Sequence, residues 1–256
     1  MTAAAVTATF ITIPLSHYCE KARWGLDRAA LPYREEPHIP MLSRLATRRR
    51  DAVTVPLLVH GDLRLASSTG ILIHADASRG GDFLYPRDVS LRSQVDALET
   101  SFDQDLGTHV RRWAYTHLLP DKALLRELWS RGAPRREVFF LPLIMPLARK
   151  LLRAGYKVTP EGGARSLQRI DDIFREVDKR LSDGRQYLVG EKFTAADLTF
   201  AALAAPVLFP AQCRAVLPTL GQIPDAMRAE VLRLRETAAG RFALRLYSQS
   251  RAEIVA

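Results

Sequence analysis

Residues 7–13 read TATFITI, a β-branched apolar run that stops at Pro14, and a helical repeat begins a few residues later. This junction constrains the fold more than any other stretch. Thr7–Ile13 has the composition of a buried strand. From Tyr18 to Ala30 the pattern is helical, with Ala22, Leu26 and Ala29 on one face and Glu20, Lys21 and Arg28 on the other, and Pro32 closes it. A strand that feeds directly into a helix aims the helix's free N–H groups at whatever binds above the strand end.

The next fifty residues keep alternating. Tyr33–His38 is a second expected strand, and 40–50 reads as irregular or weakly helical. Leu57–Val59 and Leu63–Ala66 flank His60-Gly61-Asp62 as a hairpin. Ser67 and Ser68 offer a helix start, followed by Ile71, Leu72 and Ala75. The order is β-α-β, then β-β-α. Residues 79–90 (RGGDFLYPRDVS) are rich in turn residues, and beyond them no convincing strand follows. Leu167, Ile170, Phe174, Val177 and Leu181 recur at helical spacing, with Gly184 as the stop. The expectation is an α+β, mostly α, chain: a small α/β domain over 1–80, a linker over 81–90 and an all-α helical-bundle domain over 91–256.

Bulk properties narrow the function classes. A net charge of +9 favours anionic partners. The basic residues are scattered, however, and no recognition motif or stacking-aromatic pattern accompanies them, so nucleic acid is not expected. No run approaches the ~18 apolar residues of a membrane span, and the N-terminus lacks the basic start of a signal peptide, so a cytoplasmic protein is expected. The two cysteines, Cys19 and Cys213, form neither a disulfide framework nor a metal-ligand spacing.

Ser16 and Cys19 stand three positions apart at the strand-helix junction. A dithiol oxidoreductase would carry cysteine at both positions, so an intramolecular disulfide here is impossible. The partial positive charge of the helix start favours a thiolate, the protein's own or a ligand's. The plainer reading of Ser16 is an N-cap, and that of Cys19 a buried, inert thiol. At Val55-Pro56 a proline opens a strand where no donor is needed, and composition leaves its isomer open.

Taken together, three anchors resemble the glutathione transferase superfamily, over nearly the whole chain. They are S-x-Y-C-x-K-x-R-W at 16–24, Val55-Pro56 followed by the hairpin and LASSTGIL at 65–72, and GEKFTAADL at 190–198. In the last, Thr194 and Asp197 look like a capping box with Phe193 stapling Leu198. The resemblance is to a serine-type, bacterial-like cytosolic member. It implies a thioredoxin-like domain that binds glutathione as co-substrate, without a metal. The helical domain then holds a hydrophobic electrophile, in a detoxifying homodimer. Ser16 matches the family's catalytic serine, Val55 the residue whose backbone pairs with the cysteinyl part, Pro56 the cis-proline and Ser68 the serine that holds the γ-glutamyl carboxylate. The family's acidic residue before that serine is replaced by Ser67, a loss of about 1.5–3 kcal/mol, or roughly ten- to a hundredfold in affinity. Cys19 as a reactive thiol, Tyr18 at the rim, and His38 or Arg48–Arg50 at the glycyl carboxylate are further candidates. Two other functions stay open: a binding or structural protein without turnover, and a glutathione-dependent thiol-disulfide or reductive enzyme using Cys19.

The extra length of the chain is expected around 130–160. There PRREVFFLPLIMPLARKLLRAGYKV (134–158) carries Pro142 and Pro146 inside an apolar run followed by cations. A kinked core helix is the plain expectation. A wall or lid of the electrophile pocket is the functional one. Docking on a membrane surface by an apolar face with a basic edge is the third, although no membrane contact is expected for the protein as a whole.

Overall fold

The computed structural model describes residues 7–251, so the outermost positions of both expected domain ranges lie outside the described residues. The first part is a four-stranded sheet ordered β2-β1-β3-β4, with β1 Ala8–Thr12, β2 Tyr33–Pro37, β3 Leu57–His60 and β4 Leu63–Leu65. β1 runs parallel to β2 and antiparallel to β3, and β3–β4 is the expected hairpin. Helix α1 (His17–Arg28) joins β1 to β2, α2 (Leu42–Arg48) joins β2 to β3, and α3 (Ser68–Ser78) follows β4. The side-chain alternation of a strand explains the layering. Ala8, Phe10 and Leu58 pack with Ala22 and Leu26 of α1 and Ile71 of α3, whereas Ile11 and Leu57 pack with Ala46 of α2 and Ala52. The region expected to be irregular or weakly helical is thus a definite short helix covering the second sheet face.

After α3 the chain crosses to the helical part along residues held by Asp76, whose carboxylate accepts from the N–H groups of Phe83, Leu84 and Tyr85. Helix α4 (Val89–Ser101) runs through a five-residue π-helical segment (Phe102–Leu106) into α5 (Gly107–Leu118). Then come α6 (Lys122–Ser130), α7 (Arg135–Gly155), α8 (Pro160–Leu181), α9 (Ala195–Leu208), α10 (Asp225–Arg235) and α11 (Ala238–Leu246). No strand follows β4 among the described residues.

The centre of this half is α9, in which every residue is buried. Its start is the capping box read from the sequence: the Asp197 carboxylate accepts from the Thr194 N–H (2.7 Å), the Thr194 hydroxyl (2.8 Å) and the Leu188 N–H (2.7 Å). Phe193 and Leu198 both enter the main core. α1 packs on α9, so the helix that begins at Ser16 is seated on the second half of the molecule.

Candidate functional site

The register of the sheet brings the predicted residues to one end of it. Ile11 lies opposite Leu57, so the antiparallel ladder carries Val55 and Pro56 alongside the chain leaving β1. Leu65 lies opposite Leu58, so the chain leaving β4 enters Ser67 and Ser68 on the same side. The Val55-Pro56 bond is cis. Ser16 follows the same end of β1 and is fixed there by its N–H, which donates to the Ile13 carbonyl (2.9 Å). Ser16, Val55-Pro56 and Ser67-Ser68 therefore share one edge, and the starts of α1 and α3 open onto it.

Ser16 is the N-cap of α1, with extended backbone (φ −79°, ψ 119°) and an Oγ that accepts from the Cys19 N–H at 3.3 Å. It is half-buried, whereas Cys19 is fully buried. Burial pushes the Cys19 thiol up from its ordinary value, and hydrogen bonds from Ser16 and the backbone offset this only in part. Ser67 caps α3 in the same manner, accepting from the Gly70 N–H at 3.0 Å. Ser68 is the first residue of that helix and is buried. Helix geometry leaves the N–H groups of Ser68 and Thr69 without acceptors inside α3, an anion-receptive arrangement.

Behind these two helix starts lies a cluster that sequence reasoning missed. The fully buried Lys21 ammonium donates to Thr69 Oγ1 (3.0 Å) and Asp103 Oδ2 (2.6 Å) and pairs with Glu99 (2.8 Å). Thr69 Oγ1 lies 2.8 Å from each of the two carboxylates, and the Tyr85 hydroxyl donates to Glu99 (2.8 Å). Asp103 sits in the π-helical segment, whose backbone also accepts from the Tyr18 hydroxyl (2.6 Å). Two carboxylates against one ammonium leave negative charge one residue past Ser68. Lys21 was visible only as part of the α1 motif, and no local pattern marks partners some eighty residues away.

His17 completes the seating of α1. Its Nε2 donates to the Gly107 carbonyl (3.0 Å), and burial, with Arg111 nearby, lowers its pKa to about 3, so the ring is neutral. Gly107 is required by closeness: a Cβ there would lie 2.4 Å from the Tyr18 hydroxyl oxygen.

The helical half closes over the same edge. The Arg111 guanidinium lies 5.6 Å from the Tyr18 ring centre and 4.2 Å from that of Tyr156, and Tyr156 stacks on Tyr115 (5.8 Å). The α6–α7 connection rests on the turn before Ser16, where a Cβ on Gly132 would lie 3.5 Å from the Pro14 ring. Leu15 packs on the cluster formed by Ile39, Tyr115, Leu125, Trp129, Leu141 and Met145. The segment at 134–158 is thus one helix with a buried inner face beside the candidate site, and its prolines do not break it.

His38 is not open to a ligand through its ring nitrogens. Nδ1 donates to Glu137 of α7 (2.6 Å) and Nε2 to Glu36 (3.1 Å), and Glu137 also accepts from the Ile39 N–H (2.9 Å). Those carboxylates, Glu137 foremost, raise the His38 pKa. Of the arginines at 48–50, Arg50 pairs with Glu36 (2.8 Å). Arg49 and Arg50 line a cavity of about 500 Å³ with His38, Leu45, Arg136 and Phe140.

Comparison with known proteins agrees with this architecture. Residues 10–82 match the model of the glutathione S-transferase N-terminal domain, and residues 160–225 that of the glutathione S-transferase C-terminal domain. The fold is similar to that of poplar glutathione transferase F1 (14% identity, TM-score 0.62, covering 98% of this chain and 97% of that one). It is similar also to a glutathione S-transferase of Ceriporiopsis subvermispora solved in complex with glutathione (17%, 0.62, 95% and 97%). A third is Ure2p5 of Phanerochaete chrysosporium, cocrystallised with 1-(S-glutathionyl)-2,4-dinitrobenzene (15%, 0.58, 99% and 98%). No curated protein matches the sequence. With both domain models matched in order and the thioredoxin-like sheet followed by its helical partner, the chain belongs to the glutathione S-transferase superfamily.

Proposed function

We propose that the protein is a serine-type glutathione transferase, with glutathione along the edge shared by Ser16, Val55-Pro56 and Ser67-Ser68. One observation carries this reading: Ser16 stands half-open at the start of α1, while Cys19, the competing sulfur, is buried with its thiol pushed up. The Ser16 hydroxyl and the α1 N-terminus hold the incoming thiolate. They lower the glutathione thiol from about 8.5–9 toward neutrality, with the proton passing to solvent. The sulfur then attacks an electrophilic carbon, a C–S bond forms, and a leaving group departs or the adduct takes up a proton. Val55 pairs its backbone with the cysteinyl part, and Pro56 shapes that turn. The α3 start at Ser68 receives the γ-glutamyl carboxylate. Ser67 offers no charge to the γ-glutamyl ammonium, and the negative balance of Glu99 and Asp103 over Lys21 supports that group instead. The apolar electrophile lies toward Tyr18, Arg111 and Tyr115, with α7 as the outer wall. The protein acts as a cytoplasmic homodimer.

Calorimetric titration with glutathione, together with turnover of a dinitrophenyl halide, tests this. Ser16→Ala should lower kcat/KM by about a hundredfold, whereas Cys19→Ala should leave it within a few-fold. The exposed, uncharged Ser67 favours a second reading, a binding protein without turnover. Absence of glutathione binding at millimolar concentration would favour it over the transferase. Turnover that survives Ser16→Ala but is abolished by Cys19→Ala would instead show thiol-disulfide chemistry.

A further inference from the structure

We propose that the outer face of α7 is a docking surface for an anionic lipid bilayer. The helix buries only Glu137, Leu141, Met145 and Ala148, on the side facing α5 and α6. Phe139 (77% exposed), Phe140, Leu143 (81% exposed), Leu147 and Leu151 stand outward along its length. Spacing of four residues from Phe139 through Leu143, Leu147 and Leu151 makes this a stripe rather than scattered exposure.

Charge selects the occupant. The exposed positions of α7 include Arg135 and Arg136 at one end and Lys150 and Arg153 at the other. The helix has one acidic residue, Glu137, and it is buried against His38 and Ile39, so the outer face holds four cations and no anion. Phe140 and Arg136 also line a cavity with Leu45 of α2 and with Arg49 just after it; its two carboxylates, Glu36 and Glu137, are engaged by Arg50 and His38. A second copy of the chain suits this face poorly. Paired antiparallel, Arg135 and Arg136 would meet Lys150 and Arg153; paired parallel, each cation would meet itself. Neither arrangement supplies a carboxylate, and like charges held together oppose association. Anionic headgroups neutralise both ends at once, while the Phe and Leu side chains enter the acyl boundary by about 5–10 Å and the long cationic stems reach back to the phosphates.

The helix is built to lie on a membrane and not to cross it: no helix among the described residues is long and apolar enough to span. It is also fixed in place. The Arg149 guanidinium donates to the Leu119 carbonyl (2.7 and 3.1 Å), and Glu137 ties the first turn of α7 to His38 and Ile39, which follow β2. The stripe is therefore a rigid face of the folded protein. This assignment departs from the expectation, drawn from bulk sequence properties, of no membrane contact.

The test is co-flotation of the full-length protein with vesicles of phosphatidylcholine alone or mixed with phosphatidylglycerol. Wild type should associate with the mixed vesicles, weakly or not at all with the neutral ones, and less as salt rises. Phe139→Ser/Leu143→Ser/Leu147→Ser should weaken this at least about tenfold. Lys150→Gln or Arg153→Gln alone should weaken it by roughly fivefold per cation. These are exposed side chains. The thermal midpoint of each variant checks the fold, and Leu143→Ser alone, expected to weaken binding by a few-fold, serves should the triple variant be unstable. Equal binding to both vesicle types, no binding, or binding unchanged in the serine variants would overturn the assignment. So would an oligomer that the triple variant converts to monomer, since a second copy would then own the face.

Discussion

Helices α9 and α7 both carry apolar runs interrupted by proline, yet α9 is buried on every side and α7 on one. The difference lies in side-chain size and in charge. α9 reads AADLTFAALAAPVL, and its alanines let α1, α5 and α11 approach closely from several directions. α7 offers Phe and Leu all round and cations at both ends, which a single packed layer cannot absorb. The prolines follow the same division. Pro206 falls in the last turn of α9, where it deprives the Ala202 carbonyl of a donor but only two helical residues follow it. Pro142 and Pro146 are exposed on α7, and the carbonyls they deprive of donors belong to Val138 and Pro142. The small side chains of α9, its higher mean apolarity and its lack of cations all mark it as the core helix.

The largest effect that can break this comparison is at the start of α9. Asp197→Ala removes one acceptor that serves three buried donors, so a loss of about 2–4 kcal/mol is expected by denaturant unfolding. A loss below ~1 kcal/mol would mean that α9 is held by packing alone. Within α7, one chemical change at two positions sharpens the contrast. Leu141→Ala, on the inner face at 1% exposure, should cost about 2–4 kcal/mol, whereas Leu143→Ala, at 81%, should stay within roughly 0.5 kcal/mol. Similar losses at both would show that the outer stripe is covered by protein in solution.

Legibility followed the range of the interaction. The strands, their hairpin and the caps at Ser16, Ser67 and Thr194-Asp197 were readable because each depends on neighbours within a few residues. The convergence of Ser16, Val55-Pro56 and Ser67-Ser68 was legible only through resemblance, since it requires the sheet order. Lys21 with Asp103, and His38 with Glu137, lie 82 and 99 positions apart, and nothing local announces either pair. Reading His38 as an open cation for a ligand carboxylate overlooked a competing carboxylate of the protein itself. For 134–158, helix and proline were visible, but the buried side of α7 was set by α5 and α6.

The smallest expected effect concerns that hidden pair, which fastens the first turn of α7 to the sheet domain. Both His38 nitrogens donate to carboxylates, so the arrangement is that of an imidazolium, and its pKa in the fold lies above the ordinary 6.5. A histidine whose pKa is raised on folding adds stability that is fully present below the unfolded value and is lost as pH rises through the folded one. The share of the thermal midpoint that His38 contributes should therefore decline from about pH 6.5 upward. It is read as the difference between wild type and a variant lacking its partner, because burial lowers the pKa of His17, His74, His109 and His117 and gives them the opposite trend. The groups facing His38 are Glu137 of α7 and Glu36 of β2, the latter shared with Arg50. Glu137→Gln removes the stronger partner. The variant should be less stable than wild type on the acid side, approach it on the alkaline side, and show a shallower decline between. An unchanged slope would mean that His38 is neutral in the fold and that α7 is held by Leu141, Met145 and the Ile39 N–H bond without the ion pair. α9 offers the internal control above about pH 7: burial pushes the Asp197 carboxyl up to about 6, so beyond that range the deficit of Asp197→Ala should stay constant.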